Sequence, residues 1–555
     1  MKNNYKYIIP FLLLITAMSA CHKVDVTPNS LYTSDVFPQT KEQFQSIIGP
    51  IYTNLRGHYT GSYWFVQECS TDEAILPAYG GNWYDGNKYH ELHDHNWTKD
   101  NAWVNSDWAD ATGLVGLCNQ TLYILKSAPE GSAKDASLAE VKTMRAYAFW
   151  EMCDLYGNVP LDTTYPSPGL KTNAKRAEVF NYVESELKAA LPYLKPNVDG
   201  STYGQITKYF AFSLLAKLYL NAEVYTGTPK YNECIAACDS IINSGNYGIE
   251  PSSTYLQMFY PNNGPTTQKE FIYAIPYDPS TSAGYILVGR YDLNRNLGIK
   301  YRYSGSTPGS YVDPIINGST GNGLVNSKPS GPRATLSSFL NYFLEDTNDI
   351  RLKQWLYGPQ YWDNGNPIMV QTTKLGYNQF YTGSDGGATY IYPLVIDTSI
   401  KLRQNPALFD CGNDEIAWNG GARNIKFYPD GNSTTRNQSN DVPVFRYSDI
   451  ILMKAEAILR GGSPTLGQTA LSLVNMVRSN RTTSPEWTTV TLDDLYKERC
   501  REFAWECWHR NDMIRFGKFE DIYGFKTNTD TYRRLFPIPT IAISTNNLLV
   551  QNPGY

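Results

Sequence analysis

Ile206-Thr207-Lys208-Tyr209-Phe210-Ala211-Phe212-Ser213-Leu214-Leu215-Ala216-Lys217-Leu218-Tyr219-Leu220-Asn221-Ala222 is the stretch that decides the fold class of this chain. Ile206, Phe210, Leu214 and Leu218 recur every four residues, with Ala211, Leu215 and Ala222 beside them. A helix turns once per 3.6 residues, so this spacing gathers the apolar side chains into one stripe and predicts an amphipathic helix. Thr207 is available as a cap near its start. A second helix follows, with Cys234, Ala237, Cys238, Ile241 and Ile242 turned inward, and ends at Gly245. Upstream, Val141–Tyr156 and Ala174–Leu194 read as a helical hairpin joined through Gly157-Asn158-Val159-Pro160. Antiparallel helix pairs of about 34 residues are the tetratricopeptide unit. The consensus match is loose here, so the residues by themselves support helical hairpins. Helices return at Tyr447–Leu459, Thr465–Asn480 and Leu492–Phe516.

Between these helical stretches, from about 250 to 440, Gly, Pro, Asn, Ser and Tyr dominate and helical periodicity stops. Short strand-like runs such as Phe271–Pro276 appear, and the segment carries too many aromatics for a disordered linker. The chain leaves a helical framework and re-enters it, which predicts one fused, mainly α unit with a loop-rich insertion and small sheets. The expected division is 1–20, a signal; 21–36, a tether; 37–250, a helical region with an aromatic loop; and 251–555, a C-terminal region. The last comprises loop-rich 251–440, helical 446–517 and a terminal segment 535–555.

The first residues read as an address. Lys2 and Lys6 give a positive start, and Ile8 to Met18 is an apolar run broken only by Pro10 and Thr16. That is shorter than the roughly 20 residues a spanning helix needs and fits a secretory signal. Met18-Ser19-Ala20-Cys21 resembles a lipobox, which makes Cys21 the candidate lipidation site; the bland alternative is a secreted protein with a free thiol. Multiple acyl chains on one cysteine anchor firmly, at about 0.8 kcal/mol per buried methylene.

Composition narrows the partners. Formal charge is −5, and loss of the signal's two lysines leaves −7, with no basic run, which argues against nucleic acid. Charged residues make up 18% and aromatics 14%, led by 43 Tyr and 12 Trp. Such rings combine a flat apolar face with a polar tip, which suits stacking on sugars, although many of them serve packing. Beside Cys21, eight cysteines are scattered at spacings that match no dense disulfide framework, and buried free thiols are the better reading.

Several clusters carry possible chemistry. The turn Tyr79-Gly80-Gly81-Asn82-Trp83-Tyr84-Asp85 places Trp83 and Tyr84 at an expected tip, as an exposed aromatic platform would be built. Asn82 is available to hydrogen-bond hydroxyls. From the middle segment Tyr285, Tyr301, Tyr303, Tyr361 and Trp362 are candidate platform rings and Arg302 a candidate donor. Trp97, Trp103 and Trp108 at a helix entrance read as core, as do Trp505 and Trp508. Glu498, Glu502 and Glu506 form an i, i+4, i+8 stripe with Arg499, Arg501 and Arg510 nearby. Paired carboxylates serve glycosidases, but this spacing more often gives ion pairs. His90, Glu91, His93, Asp94 and His95 place half of the six histidines together. The spacing is not HExxH and the surrounding Gly, Asn and Trp suggest a loop or strand end, so solvated or hydrogen-bonding histidines are expected rather than a metal site. No phosphate loop or nucleophile elbow appears, and no cofactor is expected.

Particular blocks carry a family resemblance. These are Arg145-Ala146-Tyr147 with Tyr156-Gly157-Asn158-Val159-Pro160-Leu161; Lys208 to Leu220; Phe445-Arg446-Tyr447-Ser448-Asp449-Ile450-Ile451-Leu452-Met453-Lys454-Ala455-Glu456-Ala457; and Glu498 to Glu506, continuing to Arg515-Phe516-Gly517. Leu535-Phe536-Pro537-Ile538-Pro539, Asn547 and the closing Gln551-Asn552-Pro553-Gly554-Tyr555 complete the set. In order and spacing this resembles the SusD/RagB family of outer-membrane nutrient-binding lipoproteins. Cys500 and Cys507 depart from the small or apolar residues expected in their helix. The resemblance implies four tetratricopeptide-like helical pairs supporting a loop-rich face, and a lipoprotein that captures glycans. It also implies a SusC-like TonB-dependent transporter as partner, no catalysis, and a structural role for the 498–506 carboxylates. Binding side chains are implied in the loop around Trp83 and in the middle loops. Two other readings stay open: peptide cargo within the same family, and a glycoside hydrolase using Glu502 and Glu506.

Overall fold

The computed structural model describes residues 38–265, 267–278, 287–297, 330–362, 365–373, 386–430, 433 and 436–555. Cys21 and residues 1–20, the expected signal, lie outside these residues, as do Tyr285, Tyr301, Arg302 and Tyr303. Ten helices build the frame: α1 Lys41–His58, α2 Ala102–Leu125, α3 Ser132–Leu155, α4 Arg176–Ala190, α5 Lys208–Leu220, α6 Tyr231–Ile242, α7 Tyr447–Leu459, α8 Ala470–Arg478, α9 Leu492–Phe503 and α10 His509–Phe516. Consecutive helices pack as four pairs, α1 on α2, α3 on α4, α5 on α6 and α7 on α8. Contacts of α2 with α3 and of α6 with α7 carry the stack from one pair to the next. The fold is mainly α, and one buried apolar cluster runs through it from Phe44 to Leu549.

Local chemistry sets the helix starts. Thr40 and Gln43 exchange hydrogen bonds in a capping box before α1, and Thr469 and Ser472 do the same before α8. Thr207 occupies the N-cap position of α5, but its hydroxyl makes no capping bond. α8 starts later than the residue pattern suggests, because 465–468 form a turn whose Thr465 is bonded to Asp239 on α6, hydroxyl to carboxylate at 2.6 Å.

The expected single helix Leu492–Phe516 is two. It breaks at 504–508, where Trp505 and Cys507 adopt φ +63° and +67°. The backbone N–H groups released by this break donate to the buried carboxylates of Glu73 and Glu68, respectively. Those bonds replace the helical ones, and such compensation is what lets non-glycine residues hold a left-handed backbone.

Strands are short. β1 Phe271–Ile275, β2 Met369–Thr372, β3 Tyr390–Pro393 and β4 Val442–Arg446 form two antiparallel pairs, β1 with β4 and β2 with β3. β1 and β4 are buried throughout and pair from Val442 opposite Ile275 to Arg446 opposite Phe271, with an irregularity at Phe445. They pin the start of the middle segment to its end, directly before α7.

The last residues close the frame. Asn552 donates from Nδ2 to the carbonyls of Tyr156 and Phe536, both at 2.8 Å, and Gln551 forms a two-bond clasp with the backbone of Ile538. The Tyr555 hydroxyl accepts from Trp97 Nε1 and donates to the Leu535 carbonyl, each at 2.6 Å. Gly157, at φ +74°, lies so close to this segment that a Cβ would stand 2.8 Å from Leu535 Cδ1. The terminal motif therefore staples the exit of α3 to the loop of Leu535–Pro539. The eight cysteines of the described residues are all buried free thiols.

Candidate functional site

The turn bearing Trp83 is held from below. Ala78 pairs with the 409–411 segment through Ala78 N to Phe409 O and Cys411 N to Ala78 O, both 2.9 Å. Tyr79 and Asn82 close the turn by reciprocal backbone bonds of 2.8 and 3.3 Å. The N–H groups of Gly80 and Gly81 donate to the two oxygens of Asp410 at 2.7 and 2.8 Å. Charge-assisted bonds of this kind are about twice as strong as neutral ones. Trp83, Asp85 and Asn87 all have positive φ, at 66°, 44° and 71°. Non-glycine residues enter this region at a cost of order 1 kcal/mol each, and such strain gathers at binding sites.

Within this turn the rings divide. Tyr79 is buried, stacked on Trp418 at 4.1 Å and 12°, with the Arg295 guanidinium 4.3 Å from the Trp418 ring. Trp83 is half-buried: its ring meets that of Tyr291 at 5.2 Å between centroids and 63° between planes, and the Arg290 guanidinium lies over it, 5.7 Å from its centroid. Tyr84 and Asn82 are half-buried beside it. One side of the indole is thus fixed by packing while the remainder reaches solvent. Three cavities, lined in part by Thr207 and Tyr247, by Phe44 and Ile48, and by Trp355 and Tyr357, include no residue of this turn.

The middle-segment candidates fare differently. Tyr361 is 51% exposed. Trp362 is buried inside a second small cluster with Leu293, Leu297, Ile368, Val370 and Leu394, so the expectation of an exposed ring at Trp362 is corrected. Neighbouring residues of an extended segment face opposite ways, which puts Tyr361 out and Trp362 in. Residue patterns did not point to Tyr291 and Arg290, which flank Trp83 from two hundred residues away.

The acidic stripe is an internal ion network. Glu498, Glu502 and Glu506 are all buried. Glu502 meets Arg446 at 2.8 Å and both Arg351 and Arg481 at 3.0 Å. Glu506 bonds Arg446 Nε at 2.7 Å and pairs with Lys426. Burial opposes ionisation of Glu502, yet Arg481, Arg446 and Arg351 together hold its carboxyl well below the usual range. The histidines also diverge. His90 stacks on Phe409 at 4.5 Å, His95 shares a 2.8 Å bond with the Ser70 carbonyl, and His93 is buried among aromatic rings. Trp97, Trp108, Trp505 and Trp508 are buried, and Trp103, half-buried, stacks on Phe65 at 4.1 Å.

Comparison with known proteins follows the same lines. The profile described as "SusD family" matches residues 214–555, more than half of the chain. The chain belongs to the SusD family. A second profile, described as "Starch-binding associating with outer membrane", matches residues 25–220. The starch-binding protein SusD of Bacteroides thetaiotaomicron is 26% identical over 457 residues, covering 75% of this chain and 72% of that one. A SusD-like protein of Bacteroides ovatus is 22% identical, over 94% of this chain and 83% of the other. Among solved structures, surface glycan-binding protein A from Bacteroides uniformis superposes with TM-score 0.67 at 18% identity, covering 92% of this chain and 99% of that one. The protein of that name from Bacteroides thetaiotaomicron, in complex with laminarihexaose, gives TM-score 0.62 at 18% identity over 92% and 99%. The SusD fold of the chain rests on both kinds of likeness.

Proposed function

We propose that this protein captures oligosaccharides or polysaccharides at the cell surface and delivers them to a SusC-like TonB-dependent transporter, without breaking bonds. The observation that carries the reading is Trp83: a half-exposed indole whose turn is clamped by Asp410 and whose ring is packed against Tyr291. An aromatic platform already immobilised loses little entropy on binding, so a weak stacking contact contributes nearly in full. Tyr84, Asn82 and Tyr361 extend the proposed surface, and Tyr285, Tyr301, Arg302 and Tyr303 join it on the residue pattern alone. One curated relative named for starch binding, and structural neighbours named for glycan binding, support the same cargo class. Acylation of Cys21 is proposed to tether the chain to the outer membrane, which protease accessibility on intact cells would test. A glycosidase role for Glu502 and Glu506 is disfavoured by their burial and their arginine partners.

Native affinity electrophoresis of residues 22–555 against a polysaccharide panel tests the proposal, with Trp83→Ala run alongside. Retardation by one glycan, weakened about tenfold in the variant, is expected; tenfold corresponds to about 1.4 kcal/mol. Retention of peptides from a tryptic digest with no glycan retardation would overturn it.

A further inference from the structure

His58, Asp107 and Glu151 meet inside the first two helical pairs, far along the chain from one another and outside the surface described above. His58 closes α1, Asp107 lies in α2 and Glu151 in α3. All three side chains are at most 1% exposed. His58 Nε2 stands 2.5 Å from Glu151 Oε1 and 4.0 Å from Asp107 Oδ1, and one donor atom from each residue falls within 4.8 Å of the others.

Hydrogen bonding accounts for only part of this cluster. Among the described residues Asp107 Oδ1 and Glu151 Oε2 have no hydrogen-bond partner, and neither does the hydroxyl of Tyr147, one helical turn before Glu151 and itself buried. Two buried carboxylates facing a single imidazole leave acceptor atoms uncompensated, and burying such atoms is costly. The other ring nitrogen is already engaged: His58 Nδ1 lies 3.1 Å from Ser62 Oγ and 3.6 Å from Asp110 Oδ2, and Ser62 Oγ donates to that same Asp110 oxygen at 2.6 Å. A hydroxyl and a carboxylate behind the distal nitrogen are the arrangement that orients a metal-ligating histidine.

We propose that His58, Asp107 and Glu151 bind one divalent transition-metal ion, zinc by donor set, as a structural clamp across α1, α2 and α3. One imidazole nitrogen and two carboxylate oxygens suit zinc, with Zn–N and Zn–O near 2.0–2.2 Å. Tetrahedral donors at that radius stand about 3.3 Å apart, between the 2.5 and 4.0 Å that separate His58 Nε2 from the two carboxylates, whose own donor atoms lie within 4.8 Å of each other. A divalent charge neutralises both carboxylates at once. The Tyr147 hydroxyl, the nearby unbonded oxygen, or a water supplies the fourth position. The ion enters as the helices assemble, since the finished site is closed to solvent.

The test is metal content. Residues 22–555 are expressed without a histidine tag in defined medium supplemented with zinc or with cobalt, then purified, and the bound metal is counted by mass spectrometry. The expected result is one zinc or cobalt ion per chain, with the d–d absorption of tetrahedral Co(II) in the cobalt sample. Glu151→Gln and, as a second variant, Asp107→Asn are expected to lower retained metal at least fivefold, and His90→Ala to leave it unchanged. Folded wild-type protein without metal in both media would overturn the proposal and assign the cluster to an imidazolium–carboxylate pair. Metal that persists in both cluster variants, or leaves with His90→Ala, would overturn it equally. Glycan retardation does not enter these readouts, so the clamp and the binding function fail or stand separately.

Discussion

Replacing His93 by leucine is expected to flatten the acid limb of the protein's stability curve. His93 is wholly buried, with Phe409, Tyr523 and Phe525 rings around it and neither ring nitrogen hydrogen-bonded among the described residues. Burial first, then the charges of His90 and Lys526, push its pKa down from 6.5 to about 3. Between those two values the unfolded chain binds a proton that the folded chain refuses, so stability falls as pH falls through this window. Each pH unit below 6.5 costs about 1.4 kcal/mol, which gives roughly 2 kcal/mol at pH 5. The stabilising condition is neutral pH, where both states carry a neutral ring. Other buried groups titrate as well, so the quantity to measure is the difference between wild type and His93→Leu. Chemical denaturation at pH 8, 6 and 5 supplies it, read as extrapolated unfolding free energies with matched slopes. The wild type should lose about 2 kcal/mol more than the variant between pH 8 and pH 5. Parallel curves would refute the reasoning, because they would mean that His93 accepts its proton within the folded protein.

Two further outcomes follow from buried polar contacts. Glu502→Gln removes the negative charge shared by Arg351, Arg446 and Arg481 and is expected to destabilise by about 3–5 kcal/mol; denaturation midpoints near wild type would contradict a structural network. Tyr555→Phe removes the acceptor of the buried Trp97 indole N–H and the donor to the Leu535 carbonyl. It should cost about 1–3 kcal/mol, and an unchanged melting temperature would show that the terminal staple adds nothing to stability.

The sequence by itself determined the helical frame and the family. The four-residue stripe of Ile206, Phe210, Leu214 and Leu218 is a local signal, since it arises from the pitch of one helix, and α5 begins and ends close to where the stripe does. The terminal Gln551–Tyr555 motif was legible as a signature for the same reason, contiguous residues in fixed order. Its work was not legible, because the partners Tyr156, Trp97 and Ile538 lie elsewhere in the chain. Only the tertiary structure decided that Leu492–Phe516 breaks, where Glu68 and Glu73 offer acceptors to backbone N–H groups that a continuous helix would have kept. It alone named the partners of the Glu498–Glu506 stripe, arginines from three other segments. It also separated Trp362, inside a core, from Tyr361, outside it. Periodicity and capping act over a few residues and can be read along the chain. Burial, ion pairing and the exposure of a ring are set by residues hundreds of positions apart, which meet only when the helices pack.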